Sequence, residues 1–143
     1  MSVVARLRDL LDRERVPYQV LAHSPIAKVV AVRHGDTISL AVLPAVARVD
    51  LDRLGAALRT RVELAPEPEI AAAFPDCETG AVPPFGALYG LKTYVDESLT
   101  HDRHVVFNAG THVDSIRMAF EDYRRIAAPI VLWFAESPAR AEG

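Results

Sequence analysis

Two short segments of this chain combine residues that hold a backbone in unusual shapes with residues able to touch a substrate. The first is Gly80-Ala81-Val82-Pro83-Pro84-Phe85-Gly86. Its two prolines fix φ and its flanking glycines reach angles closed to other residues, so the loop can keep a strained path reproducibly. Prolines donate no N–H, which leaves the amides of Ala81, Val82, Phe85 and Gly86 as donors for an oxyanion or a substrate carbonyl. The same pattern also reads as a rigid connection with Phe85 plugged into the core. The second segment is Phe107-Asn108-Ala109-Gly110-Thr111-His112, where Asn and Gly tolerate left-handed geometry and every residue carries an amide donor. His112 is suited either to read a substrate hydroxyl or amine or to pin the turn by a hydrogen bond. A third candidate is Lys28, at the head of an apolar run. It either snorkels to water or, at a cavity rim, binds a phosphate or carboxylate.

Other constellations fail on geometry. In Thr111-His112-Val113-Asp114-Ser115 the strand period puts His112 and Asp114 on one face and Ser115 on the other, so no local Ser/His/Asp triad assembles. No G-x-S-x-G elbow, P-loop or dinucleotide fingerprint occurs. His101-x-x-His104 spans a turn and a strand, where i and i+3 side chains diverge, which argues against a metal. Asp76 and Glu78 flank Cys77 and disfavour its thiolate.

The elements that must position these residues follow from periodicity. Residues 2–15 read as an amphipathic helix, with Ser2 as N-cap, Val3, Val4, Leu7, Leu10 and Leu11 on one face, and Pro17 ending it. A strand over 18–21 and a turn at His23-Ser24-Pro25 precede a hairpin of Lys28–Arg33 and Ile38–Leu43 joined through His34-Gly35-Asp36. Asp50 caps a second helix, 62–65 reads as a short strand, and 67–74 as a third helix entered through proline. Residues 75–90, with three prolines and three glycines, form a shaped loop. Strands near 93–95, 104–107, 113–118 and 130–134, with a helix over 120–126, complete the chain before a frayed tail, SPARAEG. Short strands with interspersed helices favour an α+β domain on a curved, mixed sheet.

Bulk properties narrow the class further. At 143 residues, with half of them apolar, the chain fits one domain able to bury its own core, and no linker or repeat divides it. The single cysteine excludes an internal disulfide and a zinc site of two or more cysteines, which suits a reducing cytoplasm. Charges at 6, 8, 9 and 12–15 interrupt any signal-peptide stretch, and no run is long enough to cross a bilayer. With 19 acidic and 16 basic residues, net charge −3, the chain lacks a bulk basic field, so a nucleic acid must be gripped locally or delivered by another protein. Fourteen of the basic residues are arginine, which isolates Lys28 and Lys92, although a skewed composition gives the same bias.

Taken in order, Lys28 heading KVVAVR, LAVLPA at 40–45, GAVPPFG at 80–86, YVDESL at 94–99 and FNAGTHVDSIRMAFEDYRRI at 107–126 resemble the YbaK/prolyl-tRNA-synthetase-associated family of aminoacyl-tRNA deacylases. The likeness spans residues 16–134, leaving 135–143 as a tail. It implies a single, freestanding editing domain with a barrel-like mixed sheet and surrounding helices. Such a domain hydrolyses the ester of a mischarged tRNA, typically tRNA for proline carrying a small amino acid, with no metal or organic cofactor. Lys28 matches the family lysine that contacts the phosphate at the terminal adenosine. Gly80 opens a G-x-x-x-P element ending at Pro84, and His112 matches a histidine of the pocket. The resemblance makes Lys28, Gly80 and His112 the residues of the chemistry. Val82, Pro84, Phe85, Gly86, Asn108, Gly110 and Thr111 then line the substrate. An activated ester needs positioning, fixed amides and help from the ribose hydroxyl or the substrate's own side chain, so a protein nucleophile is dispensable. The implied partners are the 3′ end of an aminoacyl-tRNA and an aminoacyl-tRNA synthetase; no membrane is involved.

One departure stands out. Between the 23–25 turn and Lys28 the family carries a pocket-covering helix, where this chain has only Ile26 and Ala27. A second copy of the chain is one way to cover the opening. Two other readings remain beside the deacylase: a non-catalytic module that binds tRNA, a synthetase or a small ligand, and a metal-dependent hydrolase using His101, His104 or His112.

Overall fold

The structure is a computed structural model that describes residues 3–21, 26–78, 80–112 and 115–136. The expected Ser2 cap, the 23–25 turn, the first residues of the 113–118 strand and the 137–143 tail lie outside them. Helix α1 (Val3–Arg13) buries Leu7 and Leu11. It stops before Pro17, through a left-handed Arg15 (φ 56°) and a Val16 N–H bond to Leu11 O. Strand β1 (Tyr18–Leu21) follows directly.

Strands β2 (Ala27–His34) and β3 (Thr37–Pro44) form the expected hairpin around Gly35-Asp36, paired from Ala27–Pro44 to His34–Thr37. Gly35, at φ 62°, supplies the left-handed angle that a two-residue turn requires. After β4 (Arg48–Val49), Asp50 accepts from Arg53 N at 3.0 Å and caps α2 (Leu51–Leu58). Strand β5 (Glu63–Leu64) and helix α3 (Glu67–Ala73) lead to the Pro/Gly loop, which closes in a 3₁₀ turn, Gly86–Tyr89. Strand β6 (Thr93–Asp96), a second 3₁₀ turn (Glu97–His101), β7 (His104–Asn108), β8 (Ser115–Ala119), α4 (Phe120–Ala127), β9 (Ile130–Leu132) and β10 (Ala135–Glu136) complete the order.

A five-stranded mixed sheet, β5-β2-β3-β6-β9, carries parallel pairs β3–β6 and β6–β9. An antiparallel sheet, β1-β8-β7, stands beside it, and Ile26 N–H donates to Val106 O to join the two. Between them lies a core of Leu7, Leu11, Val42, Val95, Phe107 and Ile116. Alternation sends Ala41, Leu43 and Tyr94 to the other face of the large sheet, where Leu54 of α2 and Phe134 cover them. The expected mixed α+β architecture is therefore the one observed.

The C-terminal strand differs from the sequence reading. Instead of one strand over 130–134, β9 ends at Leu132, and Ala135–Glu136 pair with β4. The buried Asp96 carboxylate accepts from Phe134 N and Ala135 N, both at 2.8 Å, and draws the backbone out of the ladder. Residues 135 and 136, assigned above to the tail, are thus paired.

Candidate functional site

The two loops singled out by sequence are stitched together by their backbones. Glu78 N–H donates to Gly110 O (2.8 Å), Gly110 N–H to Ala81 O (2.9 Å), and Ala81 N–H to Glu78 O (3.0 Å). Gly80 and Gly110 have φ of 82° and 103°, angles that make glycine the suitable residue at both. A Cβ on Gly80 would lie 3.4 Å from His112 Cε1. Gly80 and the exposed His112 ring, 32 positions apart in sequence, are therefore in direct apposition. His112 N–H in turn reaches Glu78 Oε2 at 3.4 Å.

The other end of the Pro/Gly loop is anchored in the core. Phe85 stacks edge-on against Phe107 and Tyr123, with centroids 5.5 and 5.3 Å away, and the Tyr123 hydroxyl donates to Pro84 O at 2.9 Å. Gly86 N–H donates to Thr93 Oγ1 at 2.9 Å, and a Cβ on Gly86 would come within 2.6 Å of that oxygen and of Leu91 O. Phe85 N–H turns back to Pro83 O. Three of the four amides expected to be open, those of Ala81, Phe85 and Gly86, are thus engaged within the fold, and Val82, Pro84, Phe85 and Gly86 are all buried. The rigid-connection reading holds for this half of the loop. Among the described residues, nothing accepts from the amides of Gly80 and Val82.

Lys28 and Asn108 approach from the sheets. Lys28 lies on β2, two residues beyond the Ile26–Val106 link, and pairs with Leu43. Its ammonium has no hydrogen-bond or ion-pair partner among the described residues. Alternation puts it on the Leu43 face of the sheet, away from Ala27 and Val29, so Lys28 does not share a face with the buried half of the loop. Asn108 ends β7 opposite Ser115, with its Oδ1 buried and without a hydrogen-bond partner among the described residues. Thr111 is half-buried between Gly110 and His112.

Beside the stitched loops, Cys77 contacts the Tyr89 hydroxyl at 3.4 Å, and that hydroxyl donates to Asp76 Oδ1 at 3.0 Å. Burial, and then the Asp76 carboxylate, push the thiol up to about 11, so Cys77 is a neutral thiol rather than a nucleophile. Burial and the Cys77 contact likewise push Tyr89 up. Among the described residues, no three His, Cys, Asp or Glu side chains cluster as a metal site would require.

Sequence reading missed Asp96. It is fully buried and accepts from Ser98 N and Ser98 Oγ as well as from Phe134 and Ala135. Burial alone would raise its carboxyl, but the hydrogen bonds from Ser98, Phe134 and Ala135 outweigh it and hold the group below its ordinary value. The local signal was Asp-x-Ser at the end of a strand, the pattern of a side chain capping a turn.

The fold and these loops define a class: a mixed α+β domain in which two glycine-bearing loops are held together by their backbones and carry an exposed histidine where they meet. The model of the aminoacyl-tRNA editing domain matches residues 14–126, and the chain belongs to that family. No curated protein matches it. Among solved structures, a candidate trans-editing enzyme for prolyl tRNA synthetase is similar at 17% identity and a TM-score of 0.80, covering 96% of this chain and 99% of the other. The hypothetical protein APE2540 superposes at 0.82 with 15% identity over 92% and 99%. A candidate signal transduction protein of Marinobacter aquaeolei VT8 superposes at 0.81 with 20% identity, over 97% of this chain but 32% of its own. At such identities the likeness is one of fold.

Proposed function

We propose that this protein is a single-domain, cytoplasmic aminoacyl-tRNA deacylase that acts in trans on a tRNA carrying the wrong, small amino acid. The apposition of Gly80 and His112, held by reciprocal backbone hydrogen bonds, is the observation that carries the reading. Water adds to the ester carbonyl, the carbonyl-to-ribose oxygen bond breaks, and the ribose hydroxyl leaves with the proton. The amide of Gly80 supports the oxyanion, His112 orients the amino acid or its ribose, and Lys28 takes the phosphate of the terminal adenosine. Asn108, Gly110 and Thr111 shape the wall, while Val82, Pro84, Phe85 and Gly86 fix the loop from beneath. A synthetase delivering the tRNA would compensate for the weak net charge.

The test is release of amino acid from alanyl, cysteinyl, seryl and threonyl tRNAs, including mischarged tRNA for proline. At least one is hydrolysed, and Lys28→Ala lowers that rate at least tenfold while circular dichroism and melting temperature stay unchanged. If the whole panel survives high enzyme concentration, the deacylase reading is wrong. Tight tRNA binding in that same outcome identifies the protein as a non-catalytic module.

A further inference from the structure

The only tryptophan of the chain, Trp133, is half exposed at the end of β9. The Arg53 guanidinium of α2 lies over its ring, 4.1 Å from the centroid. Trp133 also lines a cavity of about 370 Å³ with Glu97, Ser98 and His101. Both walls hang on one side chain: Asp96 accepts from Ser98 on one side and from the Phe134–Ala135 backbone on the other. This groove thus has a rigid frame, an aromatic wall, and a carboxylate, hydroxyl and imidazole around it.

Its position relative to Lys28 follows from the register. Lys28 pairs with Leu43, Val42 pairs with Val95, and Asp96 pairs with Leu132, so one residue on from Val42 the row runs Lys28, Leu43, Asp96, Leu132. Three strand spacings separate its ends by about 14 Å. Lys28 and the Asp96–Leu132 pair from which the Trp133 groove springs therefore lie at one end of the sheet.

We propose that this groove is a subsite for an unpaired nucleobase of RNA, the one just upstream of the nucleotide whose phosphate Lys28 takes. The inference rests on the proposed function for its orientation, but its chemistry is its own. Trp133 supplies a stacking surface, which accepts any base. The Glu97 carboxylate accepts from the exocyclic amine of cytosine, adenine or guanine, whereas uracil offers only its ring N3–H, which favours an amine-bearing base over uracil.

Because Trp133 is the only tryptophan, fluorescence excited selectively at tryptophan, beyond the absorption of the four tyrosines, reports on this site alone. The probe is the single-stranded trinucleotide CCA, with CUA and a version lacking the middle base as comparisons, and binding is followed in parallel by anisotropy of end-labelled RNA. CCA quenches Trp133 saturably and binds more tightly than CUA. The abasic probe loses the quench. Trp133→Ala weakens CCA binding by roughly 5- to 100-fold, and Trp133→Phe restores most of it. Lys28→Ala weakens binding but leaves the quench at saturation intact. Binding seen by anisotropy with no change in fluorescence, or with CCA and the abasic probe equal, overturns the subsite while leaving the deacylase intact. Quenching by CCA in a protein that deacylates nothing supports the subsite and refutes only the deacylase. Absence of binding to CCA, up to millimolar RNA, overturns the subsite.

Discussion

Replacing Asp96 with alanine should be among the most damaging single changes in the protein, although the residue touches no substrate. Asp96 is fully buried and accepts from Phe134 N, Ala135 N, Ser98 N and Ser98 Oγ. The substitution takes this acceptor from two main-chain amides of a buried segment, and each buried donor left without one costs about 1–3 kcal/mol. The expected loss is about 4 kcal/mol, a large part of the roughly 5–15 kcal/mol that holds such a domain together. With a urea slope of about 2 kcal/mol per molar, the unfolding midpoint falls by about 2 M. Asp96→Asn keeps one oxygen for Phe134 and Ala135 but turns an NH₂ group toward the Ser98 amide, and loses about half as much.

The pH dependence gives an independent check. Hydrogen bonds hold the folded carboxyl below its ordinary value of 3.8, so the unfolded state binds the proton more readily. The stabilisation is complete well above 3.8 and disappears as pH falls through the lower, folded value. The gap between wild type and Asp96→Ala should therefore be constant at neutral pH and shrink below about pH 4. Urea melts followed by circular dichroism from pH 7 to pH 3 measure it. A midpoint shift under 0.5 M at neutral pH, or a gap that does not shrink in acid, would refute the reasoning.

Other substitutions test the loop. Gly86→Ala drives a Cβ to 2.6 Å from Leu91 O and Thr93 Oγ1; it should cost upwards of about 2 kcal/mol as overpacking, seen as a lowered melting temperature. Tyr123→Phe removes the hydroxyl that holds Pro84 O, and should cost about 1 kcal/mol in urea melts while loosening the loop enough to speed amide exchange at Ala81 and Phe85. Cys77, whose thiol is pushed up to about 11, should react with iodoacetamide at pH 7.5 far more slowly than free cysteine, and approach it only in denaturant.

Much of this molecule was legible in its residue order. Helix α1, the hairpin around Gly35-Asp36, the Asp50 cap and the bend of the Pro/Gly loop all arise from contacts within a few residues, which periodicity and turn chemistry encode directly. The motifs that resemble the editing family were legible for the same reason: they are short and ordered along the chain. Pairings across the sheets were not. Gly80 meets His112 because Glu78, Ala81 and Gly110 exchange hydrogen bonds across thirty residues, and β9 breaks at Trp133 because Asp96 claims the amides of Phe134 and Ala135. The packed fold also closes the Gly86 amide, which Thr93 takes from outside the loop, whereas local turns to Glu78 and Pro83 take those of Ala81 and Phe85. Local sequence fixes what a segment can donate, but only the packed fold determines what is left unclaimed, because each buried polar group takes the nearest acceptor the fold supplies.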